Sequence, residues 1–287
     1  MLSIIRLTVQ EILSKRIFAI TLFMTLAFLV LYGVANHYAA EGLIQALHGI
    51  DTGRSTIQSQ ISMQIVIMGL SFSSMIVALL AILSGVGAVA GEIENHQIDT
   101  VLARPLGRSS FVLGKFGGLG LLVAIYALIL FIGILLINHW AGGTVAAQLQ
   151  LAAMVKAGVL FALIPLSIVA VALWLSTYLS TINSGVILIV MYGVGFVGRM
   201  IEQVGSLLNN QALLNTGIIS SLIFPFDALT RKVNAILLGT DGSAAMLNAM
   251  TSGGGSSEPS NAMLVYGLAY TLFFLLLAIR HFKHRDV

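Results

Sequence analysis

The chain has 287 residues, of which 58% are hydrophobic and only 9% charged, and its mean hydropathy is +1.00. A soluble domain carries about 25% charged residues, so this composition excludes a water-soluble globule, a disordered chain and a free nucleic-acid binder, while continuous apolar runs argue against an outer-membrane barrel. The net charge of +3 points to basic loops that set topology, and the absence of cysteine excludes disulfides, thiolate metal sites and iron–sulfur clusters.

At the N-terminus, Leu2, Ile5, Val9, Ile12 and Leu13 share one helical face, and Ser3, Arg6, Gln10 and Ser14 the opposite one. Glu11 and Lys15 are four apart, in the favourable order for an ion pair. Residues 1–16 are therefore expected to form an amphipathic helix at the membrane interface, with Arg6, Glu11, Lys15 and Arg16 as its charged residues. It serves either as an anchor or as a lever between a soluble partner and the first span.

Six apolar runs follow, at about 17–36, 65–90, 116–137, 154–179, 185–200 and 263–279. The first is too long for a signal-peptide core. An even number of spans puts both termini on one side. That side carries Arg6, Lys15, Arg16, Arg104, Arg108, Lys115, Arg280, Lys283 and Arg285, and the other carries Arg54, Arg199, Arg231 and Lys232. The positive-inside rule then predicts N-in and C-in. The piece 217–226, interrupted by Pro225, is too short to cross and reads as a re-entrant or interfacial element. The glycine- and serine-rich stretch 252–257 reads as an external linker. The fold class is an all-α, polytopic membrane protein with a single transmembrane domain over 1–287.

Glycines at 87 and 91, and at 114 and 118, form G-x-x-x-G pairs on either side of the loop between spans two and three. Gly193, Gly195 and Gly198 line span five. Close helix packing is the favoured reading of all three groups. Pro165 is expected to kink span four.

The loop between spans two and three is the densest polar cluster. A helix from Glu92 puts Glu92, Asn95, His96 and Asp99 on one face and Ile98, Val101 and Leu102 on another. Glu94 stands near its start, Arg104 near its end, and Pro105 stops it before Arg108. Such a segment is suited to docking a soluble partner and passing its motion to two spans. A metal site from Glu92, Glu94, His96 and Asp99 is disfavoured, because helical zinc sites need two histidines four apart. No metal is expected. No Walker A loop is present either: Gly107 to Gly114-Lys115 has the wrong spacing, and Phe116 replaces the Ser/Thr. Lys115 reads as an interface anchor. An intramembrane enzyme or an autonomous secondary transporter is the alternative. The spans hold hydroxyls such as Ser71, Ser73, Ser74, Ser167 and Tyr192, but no Ser–His or paired-carboxylate arrangement. No catalytic residue is expected.

The loop resembles that of the membrane subunits of type-2 ATP-binding cassette (ABC) exporters. Their pattern runs E-x-E-x-G-T-L-E-x-L-L-x-x-P-[IV]-x-R, then a short gap and an aliphatic-G-K. Here Glu92, Glu94, Ile98, Asp99, Leu102, Pro105 and Arg108 stand in it, followed by Val112-Leu113-Gly114-Lys115. His96-Gln97 replaces the Gly-Thr, and Val101 a Leu. The layout is similar to the group that includes the nitrous-oxide-reductase maturation permease. The resemblance implies a permease in the inner membrane of a prokaryote, homodimeric or pseudo-dimeric, bound to two cytoplasmic ATPase subunits that hold ATP and magnesium. It implies that residues 92–108 are the coupling helix and its flank. It also implies that spans one and five face the other protomer, which would put Gly193, Gly195 and Gly198 at the dimer seam.

Overall fold

A computed structural model of the chain describes residues 2–46, 54–95, 107–142, 149–238 and 260–284. Among the described residues there are ten helices and no strand. They are α1 (Leu2–Ser14), α2 (Arg16–Ala46), α3 (Arg54–Val86), α4 (Ala90–Glu94), α5 (Arg108–Ala141), α6 (Leu151–Tyr178), α7 (Thr181–Leu207), α8 (Gln211–Ile223), α9 (Phe226–Leu238) and α10 (Asn261–His284). Six of them, α2, α3, α5, α6, α7 and α10, are long and apolar enough to cross a membrane.

Most of these helices outrun the spans read from hydropathy. α3 has 33 residues and starts well before residue 65. At about 1.5 Å per residue it is ~50 Å long, against a hydrocarbon core of ~30 Å. Hydropathy registers only the apolar part, whereas polar residues such as Gln58 and Gln64, which are tolerable helix formers, continue the helix. α6 runs unbroken through Pro165.

Packing pairs fix the helix directions. Tyr126 of α5 bonds to Thr25 of α2, and Ile137 lies beside Gly33, so α2 and α5 are parallel. Leu166 of α6 lies against Gly120 of α5, and Gly158 against Phe131, so these two are antiparallel. Trp174 and Tyr178 of α6 meet Phe274 and His281 of α10, which makes that pair parallel. The long helices thus alternate in direction. The ends of α3, α6 and α10 lie with α1 and the starts of α2, α5 and α7, at what is here termed the α1 end. The core lies between α3, α5 and α6, where Leu70, Leu80, Leu119, Leu130, Ile168 and Leu173 are fully buried. α2, α7 and α10 turn apolar faces outward, with Phe23, Ile182 and Phe273 among the exposed side chains.

Between α7 and α10, helices α8 and α9 meet at a 101° bend. Because α7 ends and α10 begins at the far end, the bent pair returns the chain to the end it left. Pro225 disfavours helical backbone at Phe224, which is extended at φ −136°, ψ 92°. The carbonyls orphaned by the break are satisfied from α10: Tyr266 and Tyr270 donate to Leu222 O at 2.6 Å and Ile223 O at 3.0 Å. α8 lies back along α7. A Cβ on Gly198 would collide with Ser220, and one on Gly217 would come within 2.5 Å of Glu202. Gly195 faces Phe224. Gly195 and Gly198 therefore pack against Phe224 and Ser220 within the chain. A side chain on Gly193 would meet nothing.

α1 packs on the start of α5. Added Cβ atoms would lie 2.7 Å from Ile4 at Gly114, 3.3 Å from Ile5 at Gly117 and 2.7 Å from Thr8 at Gly118. The buried face is Ile4, Thr8 and Ile12, while Leu7 and Leu13 are exposed. Of the expected face of Leu2, Ile5, Val9, Ile12 and Leu13, Ile12 is buried, Ile5 and Val9 are half-buried and Leu13 is exposed, and the glycine stripe admits Ile4 and Thr8 closest. The second G-x-x-x-G pair behaves differently. Gly91 has open space around it and Gly87 barely touches Thr181, whereas Gly85 is the one pressed against Ala172 of α6.

Candidate functional site

The polar residues at the α1 end converge on α4. Lys115 sits two turns into α5, and its side chain is only 4% exposed. A cation there is costly unless paired. Its Nζ lies 2.8 Å from Glu11 Oε2 of α1 and in direct contact with Glu92 Oε1 of α4. Glu11 Oε1 takes Lys15 Nζ at 2.7 Å. The lysine is thus a buried bridge between two helices, not the snorkelling anchor the sequence suggested. Burial by itself would raise the Glu11 pKa; the hydrogen bonds and charges of Lys115 and Lys15 outweigh it and hold the carboxyl below its usual 4.5.

Glu94 closes a second tie. Its carboxylate accepts from the Thr181 backbone N–H at 2.8 Å and from the Thr181 hydroxyl at 3.0 Å. Ser180, the residue before α7, makes no capping bond of its own. Glu94 therefore caps α7 from another element, with its charge at the positive end of the helix dipole.

A third tie is one hydroxyl. Ser176 of α6 accepts from Val89 N–H at 3.1 Å and Ala90 N–H at 2.8 Å, and donates to Val86 O at 2.8 Å. These are the backbone groups released where α3 stops and α4 starts, so this buried hydroxyl holds the turn between them. Asn95 Nδ2 donates to Gly91 O at 2.8 Å at the end of α4. On the other side of the loop, Arg108 donates to Lys283 O at 3.2 Å, and Phe111 stacks on Phe282.

Of the residues singled out in the sequence, the structure brings together Glu11, Lys15, Glu92 and Glu94 around α4. Arg6 and Arg16 are exposed. His96, Asp99, Leu102, Arg104 and Pro105 lie outside the described residues. Among the described residues no three His, Asp or Glu side chains form a group that could hold a metal ion. Sequence reasoning missed Ser176 and the bridging role of Lys115. The desolvation cost of a lone lysine inside an apolar helix is the signal that leads to the bridge.

A second charged cluster stands toward the far end. Arg231 of α9 reaches Glu202 Oε1 of α7 at 2.9 Å and Asp227 Oδ2 at 3.4 Å, and Arg199 of α7 reaches Asp227 Oδ1 at 3.4 Å. These contacts pin the bent helix pair to α7.

The arrangement offers ties between helices rather than a nucleophile with its base. Residues 4–287 match the family described as ABC-2 family transporter protein. No curated protein matches the chain. The match spans nearly all the residues that build the bundle, and it identifies a multi-pass transport component whose family is not itself catalytic and works with an ABC ATPase. The chain belongs to the ABC-2 family of transporter membrane subunits.

Proposed function

We propose that this chain is the permease of an exporter in the inner membrane of a prokaryote, paired with a second copy and driven by two cytoplasmic ATPase subunits that bind ATP and magnesium. Within the family we place it near the group that includes the nitrous-oxide-reductase maturation permease, on the loop pattern from Glu92 to Arg108. The basic residues flanking α1, α5 and α10 support an α1 end that faces the cytoplasm. Residues 92–108 act as the coupling segment. Closure of the ATPase pair pushes on it, and the push travels along the ties.

The observation that carries this reading is the Lys115 bridge. It joins α1, α4 and α5 at one end of the bundle. Ser176 and Glu94 extend the connection to α6 and α7. A load on α4 therefore reaches both α3, which precedes it, and α7. The outward apolar faces of α2 and α7, with the open Gly193 among them, are suited to the dimer seam.

The test is co-expression with the ATPase of the same operon and purification in mild detergent. The wild-type chain is expected to bring the ATPase with it in equal amount and to change its hydrolysis rate. Changing Glu94 and Asp99 together to Lys should leave insertion intact and abolish that change. A double variant with normal complex yield and an unaltered rate overturns the coupling assignment.

A further inference from the structure

A cavity of about 220 Å³ opens between the middle of α3, α7 and the bend between α8 and α9. Phe72, Met75, Phe196 and Phe224 form apolar walls, and Arg199 and Asp227 form a polar rim. Phe72, Met75 and Phe196 are 63%, 48% and 52% exposed, so the cavity opens sideways on the outer face of the bundle.

The rim is unevenly satisfied. Among the described residues Asp227 has two cationic neighbours, each at 3.4 Å, well beyond the ~2.7–2.9 Å of a good charge-assisted bond. Its buried Oδ2 accepts no hydrogen bond. Arg231 Nη1 is committed to Glu202 at 2.9 Å, and its buried Nε, 3.4 Å from Asp227 Oδ2, makes no hydrogen bond. The Arg199 side chain, by contrast, is 26% exposed, so its remaining donors reach outside. The four charges sum to zero, yet the buried atoms without a hydrogen bond are two acceptors, Asp227 Oδ2 and Glu202 Oε2, against one donor, Arg231 Nε, so the cluster is one donor short. A buried acceptor left in this way is costly, and a charged donor is the strongest remedy.

We infer that this cavity binds a cationic amphiphile, with an alkyl chain or ring against the phenylalanines and an ammonium head donating to Asp227. The inference deepens the exporter reading by naming the class of its cargo, and it rests on that reading only for the word cargo. Binding itself needs no ATPase.

The test uses the full chain in phosphatidylcholine nanodiscs and a hexadecylamine carrying a diazirine on its chain, with adducts mapped by mass spectrometry. Unlabelled hexadecylamine, hexadecanol and hexadecanoic acid serve as competitors. Adducts are expected on the α3 segment around Phe72 and Met75 and on the α7 segment around Phe196. The amine should compete at least ~10-fold better than the alcohol or the acid, the worth of a hydrogen bond to a charged group. Asp227→Asn should erase that preference. Ser71→Phe fills the cavity without touching a charge and should remove the adducts, which keeps the test decisive even where Asp227→Asn folds poorly. Equal competition by all three compounds, a preference for the acid, or adducts that persist in Ser71→Phe would each overturn the inference. None of these outcomes touches the ATPase-coupling test, which reads the opposite end of the bundle.

Discussion

At the α1 end one cation, Lys115, holds two carboxylates from two other helices, Glu11 at 2.8 Å and Glu92 in direct contact. Toward the far end two arginines and two carboxylates share contacts of 2.9 to 3.4 Å. The first cluster leaves one buried oxygen, Glu92 Oε2, without a hydrogen bond; the second leaves Glu202 Oε2, Asp227 Oδ2 and Arg231 Nε. Both place charge in an apolar protein, where desolvation has to be offset by partners. Short contacts between separate elements make a fixed joint. Longer contacts beside a cavity leave groups that a guest can satisfy. A membrane protein that passes force at one end and accepts a ligand toward the other needs both kinds.

The largest effect expected from breaking this contrast is that of Lys115→Met. It strands the largely buried Glu92 and leaves Glu11 with Lys15 alone, and should cost about 3–5 kcal/mol, read as a lower Tm in detergent. Adding Glu11→Gln and Glu92→Gln should recover part of the loss. An unchanged Tm in the single variant would show that the bridge is no joint. Ser176→Ala comes next. Unpairing the Val89 and Ala90 N–H groups should cost about 2 kcal/mol and speed hydrogen exchange at those two amides. Protection that stays at wild-type level there would assign the turn to other contacts. Asp227→Asn should cost only about 1 kcal/mol, because the bonds it weakens are long. If it lowers the Tm as much as Lys115→Met, the two clusters do not differ as argued. The smallest effect is that of pH. Glu11 titrates below its usual value of 4.5 in the folded chain. Its tie is therefore present in full above that value and is lost only as the pH falls through the lower folded pKa. The protection factors of the α1 amides, with the pH dependence of intrinsic exchange divided out, should fall in acid below 4.5 and stay flat above it, and Glu11→Gln should remove the step.

Much of the architecture was legible in the sequence because it follows from lengths and charges. Six long apolar runs, a run too short to cross beside Pro225, and an amphipathic N-terminus all reappear as helices α1 to α10. Helix ends were not legible. Hydropathy falls at Gln64 although the helix continues to Arg54. The buried face of α1 was legible only in part: Ile12 stood on the expected face, but Ile4 and Thr8 did not, because periodicity along one helix carries no information about the groove it meets. Gly114, Gly117 and Gly118 make that groove, and they lie about a hundred residues away. The two G-x-x-x-G pairs look alike as text, yet the pair at 114 and 118 is pressed by α1 whereas Gly91 touches nothing. Gly195 and Gly198 stood out as packing positions, but Ser220 and Phe224, which meet them within the chain, come later in the sequence. Glu92 and Glu94 stood out by composition, but their partners Lys115 and Thr181 follow from tertiary packing alone.

The bridge between α1 and α5 also has a temporal side. Lys115 and Glu11 are 104 residues apart. At about 5–20 residues per second, a ribosome needs roughly 5–20 s to make that interval. Through that time α1 exists without the glycine groove it will occupy, and Glu11 has Lys15 as its nearby cation. The newborn helix must wait at the membrane surface while α2 and α3 insert. The arrival of α5 then captures it, so the joint is among the later contacts of biogenesis although one of its halves is made first.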